Sequence, residues 1–217
     1  MAIKKNDFVE IKFTGYANGN LFDSNRAEDL KKLNPKEKER ETIVIVGQGM
    51  VVPGLDKALE GKEVGKDYDV KFGFMDGFGE RKKELMKIVP IKIFHEKNMD
   101  PKPGMAFALD NMLVRIIAVS GARVTIDLNN PIAGKDLEYK FKIVRKIDDD
   151  KEKCQVLLES LFKVAPEFEL KGDKVIVKGP KQLELFVNAF KERFKEIIGK
   201  ELGFEEKKEA EKKEEKK

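Results

Sequence analysis

The chain has 217 residues, a length suited to one large domain or to two or three small ones. Charged residues make up 39% of it, against about 25% in an average protein, yet the formal net charge is only +4; acidic and basic residues are mixed, which excludes a basic arm built for nucleic acid. A hydrophobic share of 41% excludes global disorder, one cysteine excludes an internal disulfide, and one histidine excludes a multi-histidine metal site.

No apolar run approaches the roughly 18 residues that a membrane span needs. The first seven residues hold no apolar stretch resembling a signal peptide. A cytoplasmic protein is therefore expected.

Residues 9–13 alternate Val-Glu-Ile-Lys-Phe, the pattern of a half-buried strand that Gly15 is expected to end. Asn18, Gly19 and Asn20 supply turn chemistry before Leu21, Phe22, Asp23 and Ser24. Residues 25–41 are almost purely polar and charged, with Pro35 among them, and predict a short helix within a solvated loop. Residues 42–46 (Thr-Ile-Val-Ile-Val) are β-branched throughout and predict a strand buried on both faces. After Gly47 and Gly49, Pro53 stands where a helix opens, and Leu55, Ala58 and Leu59 form its apolar face before Gly61 and Gly65. Tyr68, Val70 and Phe72 alternate as another strand, ahead of a glycine-aromatic stretch over residues 73–79.

Three short strands are expected at residues 105–109, 113–119 and 123–128, turning at Asp110-Asn111 and at Ser120-Gly121, as a small antiparallel unit. Residues 137–144 return to strict alternation. Asp148, Asp149 and Asp150 read as a linker. Beyond it, residues 154–163 have helical spacing (Val156, Leu157, Leu161), and residues 168–170 and 175–177 predict a hairpin around Gly172 and Asp173. Pro180 then opens a long amphipathic helix with Leu183, Phe186, Val187, Phe190, Phe194, Ile197 and Ile198 on one face. Residues 205–217 contain only Glu, Lys and Ala and predict a frayed or disordered tail.

Most motifs of catalysis fail on inspection. Residues 49–54 have the spacing of a phosphate-cradling loop, but Leu55 and Asp56 stand where Lys and Ser/Thr are required. Gly47 and Gly49 lack the third glycine of a dinucleotide fingerprint. Gly199 and Gly203 are one residue too far apart for a KH-type loop, and a helix reaching a glycine cap is the plainer reading. His95 reads as a solvated histidine and Cys154 as a packed thiol, since no histidine or basic pocket is expected beside it to lower its pKa. Nucleophilic catalysis has no support, and no cofactor or metal is expected.

Phe13-Thr14-Gly15-Tyr16 and the run Gly19-Asn20-Leu21-Phe22-Asp23-Ser24 resemble the opening motifs of the FKBP family of peptidyl-prolyl isomerases. Gly47-Gln48-Gly49 through Leu55, followed by Ala58, Leu59, Glu60, Gly61, Val64 and Gly65, is similar to that family's central loop and helix. Asp76-Gly77-Phe78-Gly79 resembles its flap motif, and residues 129–137, with their Pro-Ile-Ala-Gly core, resemble the return segment of its SlyD-like branch. The resemblance covers roughly residues 5–147; the remainder resembles the extra domain of longer archaeal-type members, less specifically.

The resemblance implies an α+β fold. An FKBP-like antiparallel half-barrel sheet would wrap a short helix (residues 1–84 plus 129–147), interrupted by a small β insert-in-flap domain (85–128). A C-terminal α-β-β-α domain (150–204) and the charged tail (205–217) would follow. It implies a peptidyl-prolyl cis-trans isomerase whose pocket is lined by Phe13, Phe22, Val44, Val51, Val52, Leu55, Phe78 and Tyr139, with Asp23 as the one polar side chain and the Val52 N–H donating to the substrate carbonyl. Asp23, Phe78 and Tyr139 would carry catalysis. Leu55 replaces the tryptophan floor of single-domain members. Phe13 and Phe78 stand where the family usually has tyrosines, and the hydroxyl missing at Phe78 weakens the expectation of macrolide binding.

The insert would add chaperone activity through an apolar surface drawn from Ile88, Ile91, Phe94, Met99, Met105 and Phe107, the alternative being that these form the insert's own core. Expected partners are unfolded or partly folded proline-containing polypeptides, with homodimerisation through the C-terminal domain; membrane association is not expected, and nucleic-acid or ribosome binding is disfavoured because Glu192 and Glu196 interleave with Lys191, Arg193 and Lys195. No histidine-rich tail is present to suggest nickel handling. The alternative function is a non-enzymatic chaperone or interaction module with a vestigial pocket.

Overall fold

A computed structural model describes residues 2–109 and 112–207. The turn at Asp110 and Asn111 and the tail beyond Lys207 lie outside the described residues. Three sheets organise the described residues.

The first sheet is built on β1 (Phe8–Ala17), which runs straight through Gly15 where an end was expected. Gly15 is tolerated because two aromatic rings need its space: a Cβ there would stand 2.9 Å from the Tyr139 ring and 3.1 Å from that of Phe22. β1 pairs antiparallel along one side with β9 (Leu137–Lys146) and along the other with β2 (Asn20–Ser24) and β3 (Ile43–Ile45) in succession. β4 (Asp67–Phe72) closes the far edge against β9. Helix α1 (Ala27–Leu33) is the short helix of the polar loop, and α2 (Pro53–Leu59) begins with proline at its first turn. Gly54 of α2 allows the Phe72 ring to lie against the helix backbone, since a Cβ would come within 2.3 Å of that ring. The core between sheet and helix holds Val9, Ile11, Phe13, Val44, Val46, Leu55, Leu59, Tyr139, Phe141 and Ile143.

The second sheet has the order β5-β8-β7-β6, with β5 at Met86–Pro90, β6 at Ala106–Leu109, β7 at Met112–Ser120 and β8 at Arg123–Asp127. Its first strand, and the one-turn helix α3 (Lys92–His95), have too short an alternating run to be legible in the sequence. The chains entering and leaving this sheet are pinned together. Asn129, 6% exposed, accepts from the Lys82 N–H and donates to its carbonyl, while Asp127 receives Arg81 and the Asn129 amide.

The C-terminal unit differs from the expected α-β-β-α arrangement. Helix α4 starts at Asp150 and runs to Phe162; Asp149, read as linker, is its N-cap and accepts the Glu152 N–H at 2.8 Å. β10 (Glu167–Lys171) and β11 (Lys174–Gly179) form the hairpin, α5 spans Leu183–Ile198 after a turn at Pro180, and a further strand β12 (Glu201–Glu206) returns parallel to β11. Glu205 and Glu206 therefore belong to a sheet; two consecutive exposed glutamates at a sheet edge gave no strand signal. Phe186 is 56% exposed instead of packed, since α5 carries apolar side chains over a wider arc than the unit covers.

This unit shares a core with the first sheet. Cys154, Leu157, Leu158, Val177, Val187 and Phe194 pack with Phe8 of β1, Ile45 of β3 and Ile147. Burial pushes the Cys154 thiol up to about 11, which keeps it protonated and unreactive. Arg145 adds a polar clasp, bonding Glu152 of α4 together with Glu41 and Glu10.

Candidate active site

A solvent-open cavity of about 870 Å³ lies between the first sheet, α2 and α4. Phe13, Asp23, Val44, Val51, Val52, Leu55, Phe78 and Tyr139 all line it. Phe22 does not. The β1–β2 register slips there, Gly15 pairing with Asp23 and Tyr16 with Leu21, so Phe22 is left in a bulge; its ring stands edge-on to Phe78 at 5.8 Å and to Tyr139 at 5.9 Å, packed against rings that line the cavity. Tyr139 is also stacked on Phe72 (5.8 Å between centroids, 9° between planes) and tilted against Phe13 at 6.0 Å. Such packing fixes each ring in one orientation.

Two polar devices shape this wall, and neither was evident in the sequence. Asn25, 3% exposed, accepts the Phe13 N–H at 2.8 Å and donates to the Ile11 carbonyl at 2.7 Å, while the Ser24 hydroxyl donates to the Phe13 carbonyl at 2.8 Å. These bonds lock the end of β2 onto β1 and so fix where Asp23 points. On the opposite side, the Asp56 carboxylate accepts the N–H groups of Gly47 (2.8 Å) and Gly49 (2.9 Å). Both glycines have positive φ, at 78° and 70°, so this loop needs them. The Asp56 bonds explain why a glycine-rich loop here is no phosphate cradle: its amides are already held by an internal carboxylate. The clamp presents Met50, Val51 and Val52 to the cavity. The Val52 carbonyl accepts the Asp56 N–H at 3.0 Å, while its own N–H has no acceptor among the described residues.

Asp23 is half-buried, and burial raises its carboxyl above the ordinary 3.8, against the lowering effects of the Arg40 charge and the Ser24 backbone. Burial and the nearby Asp23 charge push the Tyr139 phenol up, so it stays a neutral hydroxyl. Lining residues missed by the sequence reading are Ser24, Asn25, Arg40, Glu41, Thr42, Ile43 and Met50, with a face of α4. Polarity hid most of them, while Ile43 and Met50 are apolar neighbours of Val44 and Val51 that carried no signal of their own.

Of the residues singled out in the insert, Phe94 is buried and Ile91, Met99 and Phe107 pack against the core of Val114, Ile116, Val124 and Ile126. Ile88 (67% exposed) and Met105 face solvent, together with Met86, Ile93, Met112, Leu113 and Ile117. His95 lies exposed on α3. Among the described residues, no helix is long and apolar enough to cross a membrane.

Residues 1–95 match the family described as FKBP-type peptidyl-prolyl cis-trans isomerase, and residues 87–132 match the FKBP26 IF domain. The chain is 32% identical over 144 residues to the short-type peptidyl-prolyl cis-trans isomerase of Methanocaldococcus jannaschii, spanning 65% of this chain and 92% of that protein. It is 32% identical over 148 residues to the SlyD isomerase of Haemophilus influenzae, 66% of this chain and 72% of the relative. To SlyD of Escherichia coli it is 33% identical over 102 residues, 45% of this chain and about half (52%) of the relative.

Asp23 sets a pH dependence. Because its native carboxyl holds the proton more tightly than the unfolded one, stability falls as the pH rises from about 3.8 through the raised value, and the whole penalty is present at neutral pH. Asp23→Asn is expected to unfold at higher urea than the wild type at pH 7 and at the same urea near pH 3. Equal midpoints at both pH values would contradict this reading of the site.

Proposed function

The chain belongs to the FKBP-type peptidyl-prolyl cis-trans isomerase family, and from that premise we propose that the cavity beside Asp23 and Tyr139 binds an X–Pro amide and speeds its rotation. The single observation that carries this reading is that the half-buried Asp23 carboxylate and the Val52 N–H, which has no acceptor among the described residues, stand in one cavity beside fixed aromatic and aliphatic walls. Rotation about an amide faces a barrier of about 18–20 kcal/mol and relaxes in tens of seconds unaided. No bond breaks, so neither nucleophile nor proton shuttle is needed.

At the twisted transition state amide resonance is lost and the carbonyl oxygen gives up negative charge. The planar, more polar amide is better solvated by water, whereas Phe13, Val44, Val51, Leu55 and Phe78 offer an apolar surface that favours the twisted form. The Val52 N–H would hold the substrate carbonyl. Asp23 would oppose the altered dipole, and the neutral Tyr139 hydroxyl would orient the chain. Lacking a hydroxyl, Phe78 contributes packing alone.

The substrates are proline-containing polypeptides. The working division is an isomerase domain of residues 1–84 and 129–147, an insert of 85–128 and a C-terminal domain from 150 to 207. Exposure of Ile88, Met105 and their apolar neighbours supports a chaperone role for the insert, holding unfolded chains near the cavity. Exposure of Leu185 (77%) and Phe186 on α5 supports homodimerisation through the C-terminal domain. A sedimentation mass twice that of the chain, reduced to one chain by Phe186→Glu, is the expected result; a monomer at micromolar concentration would exclude the dimer.

Proline-limited refolding of an unrelated protein tests the central reading. Substoichiometric wild type is expected to accelerate the slow phase, Asp23→Ala severalfold less so, and deletion of residues 85–128 should reduce catalysis on the protein far more than on a short peptide. If even equimolar wild type leaves the slow phase unchanged, the chain is a binding module and not a catalyst.

A further inference from the structure

Helix α4 presents two faces. Cys154, Leu157 and Leu158 enter the core shared with β1 and β3. Glu152, Gln155, Val156, Glu159 and Ser160 line the cavity that Asp23 and Phe78 line from the other side. Their spacing, three and four residues apart, is that of one helical face. From Glu152 to Ser160 this face runs about 12 Å at the helical rise, the span of about three or four extended residues. The cavity itself, at about 870 Å³, lies toward the upper end of the roughly 300–1,000 Å³ usual for ligand sites, more than one proline ring fills.

The charge of this space is one-sided. Its lining carries four carboxylates, Asp23, Glu41, Glu152 and Glu159, against the one guanidinium of Arg40. Arg145 bonds Glu41 and Glu152 but is shared with Glu10, so one positive charge serves three negative ones. Arg40 has Glu37 beside it at 3.7 Å. The Glu159 carboxylate receives only the Gln155 side-chain amide, at 2.9 Å, and has no basic side chain within ion-pair distance among the described residues. A negative, partly apolar cleft in a chain of net charge +4 concentrates an attractive field for cations.

We propose that α4 is the second wall of the substrate groove and that Glu159 selects polypeptides carrying lysine or arginine within about three residues of the proline. The inference rests on reading the cavity as the isomerase site. It assigns to the C-terminal unit a part in substrate choice, separate from any part in assembly. The ion pair forms at a partly exposed position, so its effect is modest, about two- to fivefold at low salt, and salt weakens it.

Single-proline peptides with lysine or glutamate scanned over three positions on each side of the proline provide the test. Exchange spectroscopy gives kcat/KM for the full-length wild type, Glu159→Gln and Glu159→Lys. The wild type is expected to favour lysine over glutamate about two- to fivefold at one or more positions. That ratio should fall toward one in Glu159→Gln, invert in Glu159→Lys, and move the same way in Ser160→Lys, which places a cation on the same face. Equal turnover of lysine and glutamate peptides by the wild type overturns the inference, as does a preference that survives Glu159→Lys and Ser160→Lys unchanged. Failure of the wild type to turn over any peptide overturns the isomerase reading itself, and this inference with it.

Discussion

A β-branched run at residues 42–46 must be covered on two faces, and much of the molecule follows from that requirement. Within β3 the side chains alternate: Val44, with Val46 just after it, enters the core of the first sheet, and Ile45 enters the core formed with α4 and α5. Phe8, opposite Ile45 in the β1–β3 pairing, does the same. Each such side chain contributes about 1.5–3 kcal/mol when withdrawn from water. Without the C-terminal unit, Phe8, Ile45 and Ile147 would lie in solvent as one contiguous apolar patch, a destabilising arrangement and one that invites aggregation.

The same docking brings α4 beside the cavity. Because β3 has one face in each core, the helix that covers its outer side necessarily stands next to Val44, and hence next to the loop that the Asp56 carboxylate clamps. The pocket is thus bounded by three parts, each fixed in its own way: β2, locked to β1 through Asn25 and Ser24; the loop at Gly47 and Gly49, tied to Asp56; and α4, held by the core it shares with β1 and β3 and by the Arg145 clasp. Rigid walls suit a catalyst whose effect comes from preferring one geometry of the substrate over another.

Strand periodicity made most of the first sheet legible, because β4 and β9 alternate cleanly, and so does β1 over Val9, Ile11 and Phe13, with Phe8 before them turned to the second core. The motif order likewise pointed to Phe13, Asp23, Val52 and Tyr139, which meet around one cavity. What stayed hidden has physical causes. Asn25 and Asp56 are polar residues whose work is to bond backbone groups distant in the chain, and polarity alone reads as loop. β12 sets Leu202 and Phe204 between Glu201, Gly203 and Glu205, too few positions to signal a strand. Gln155, Glu159 and Ser160 look like a solvated helix face, and Val156 reads only as one of the helix's apolar positions; only the two-sided burial of residues 42–46 hinted that an element had to cover that strand. In the insert, sequence could not separate Phe94, which fills the core, from Ile88, which faces water, because a four-stranded sheet with a single short helix leaves part of its apolar surface uncovered.

Joint burial of β3 by the first sheet and the C-terminal unit is the claim on which both the pocket and its second wall stand. Native-state hydrogen exchange on the full chain tests it most directly. If the two cores form one cooperative structure, the β3 amides of Val44 and Ile45 and the α4 amides of Leu157 and Leu158 will open with the same free energy and the same denaturant dependence. Opening of α4 at distinctly lower free energy, with β3 still fully protected, would contradict it.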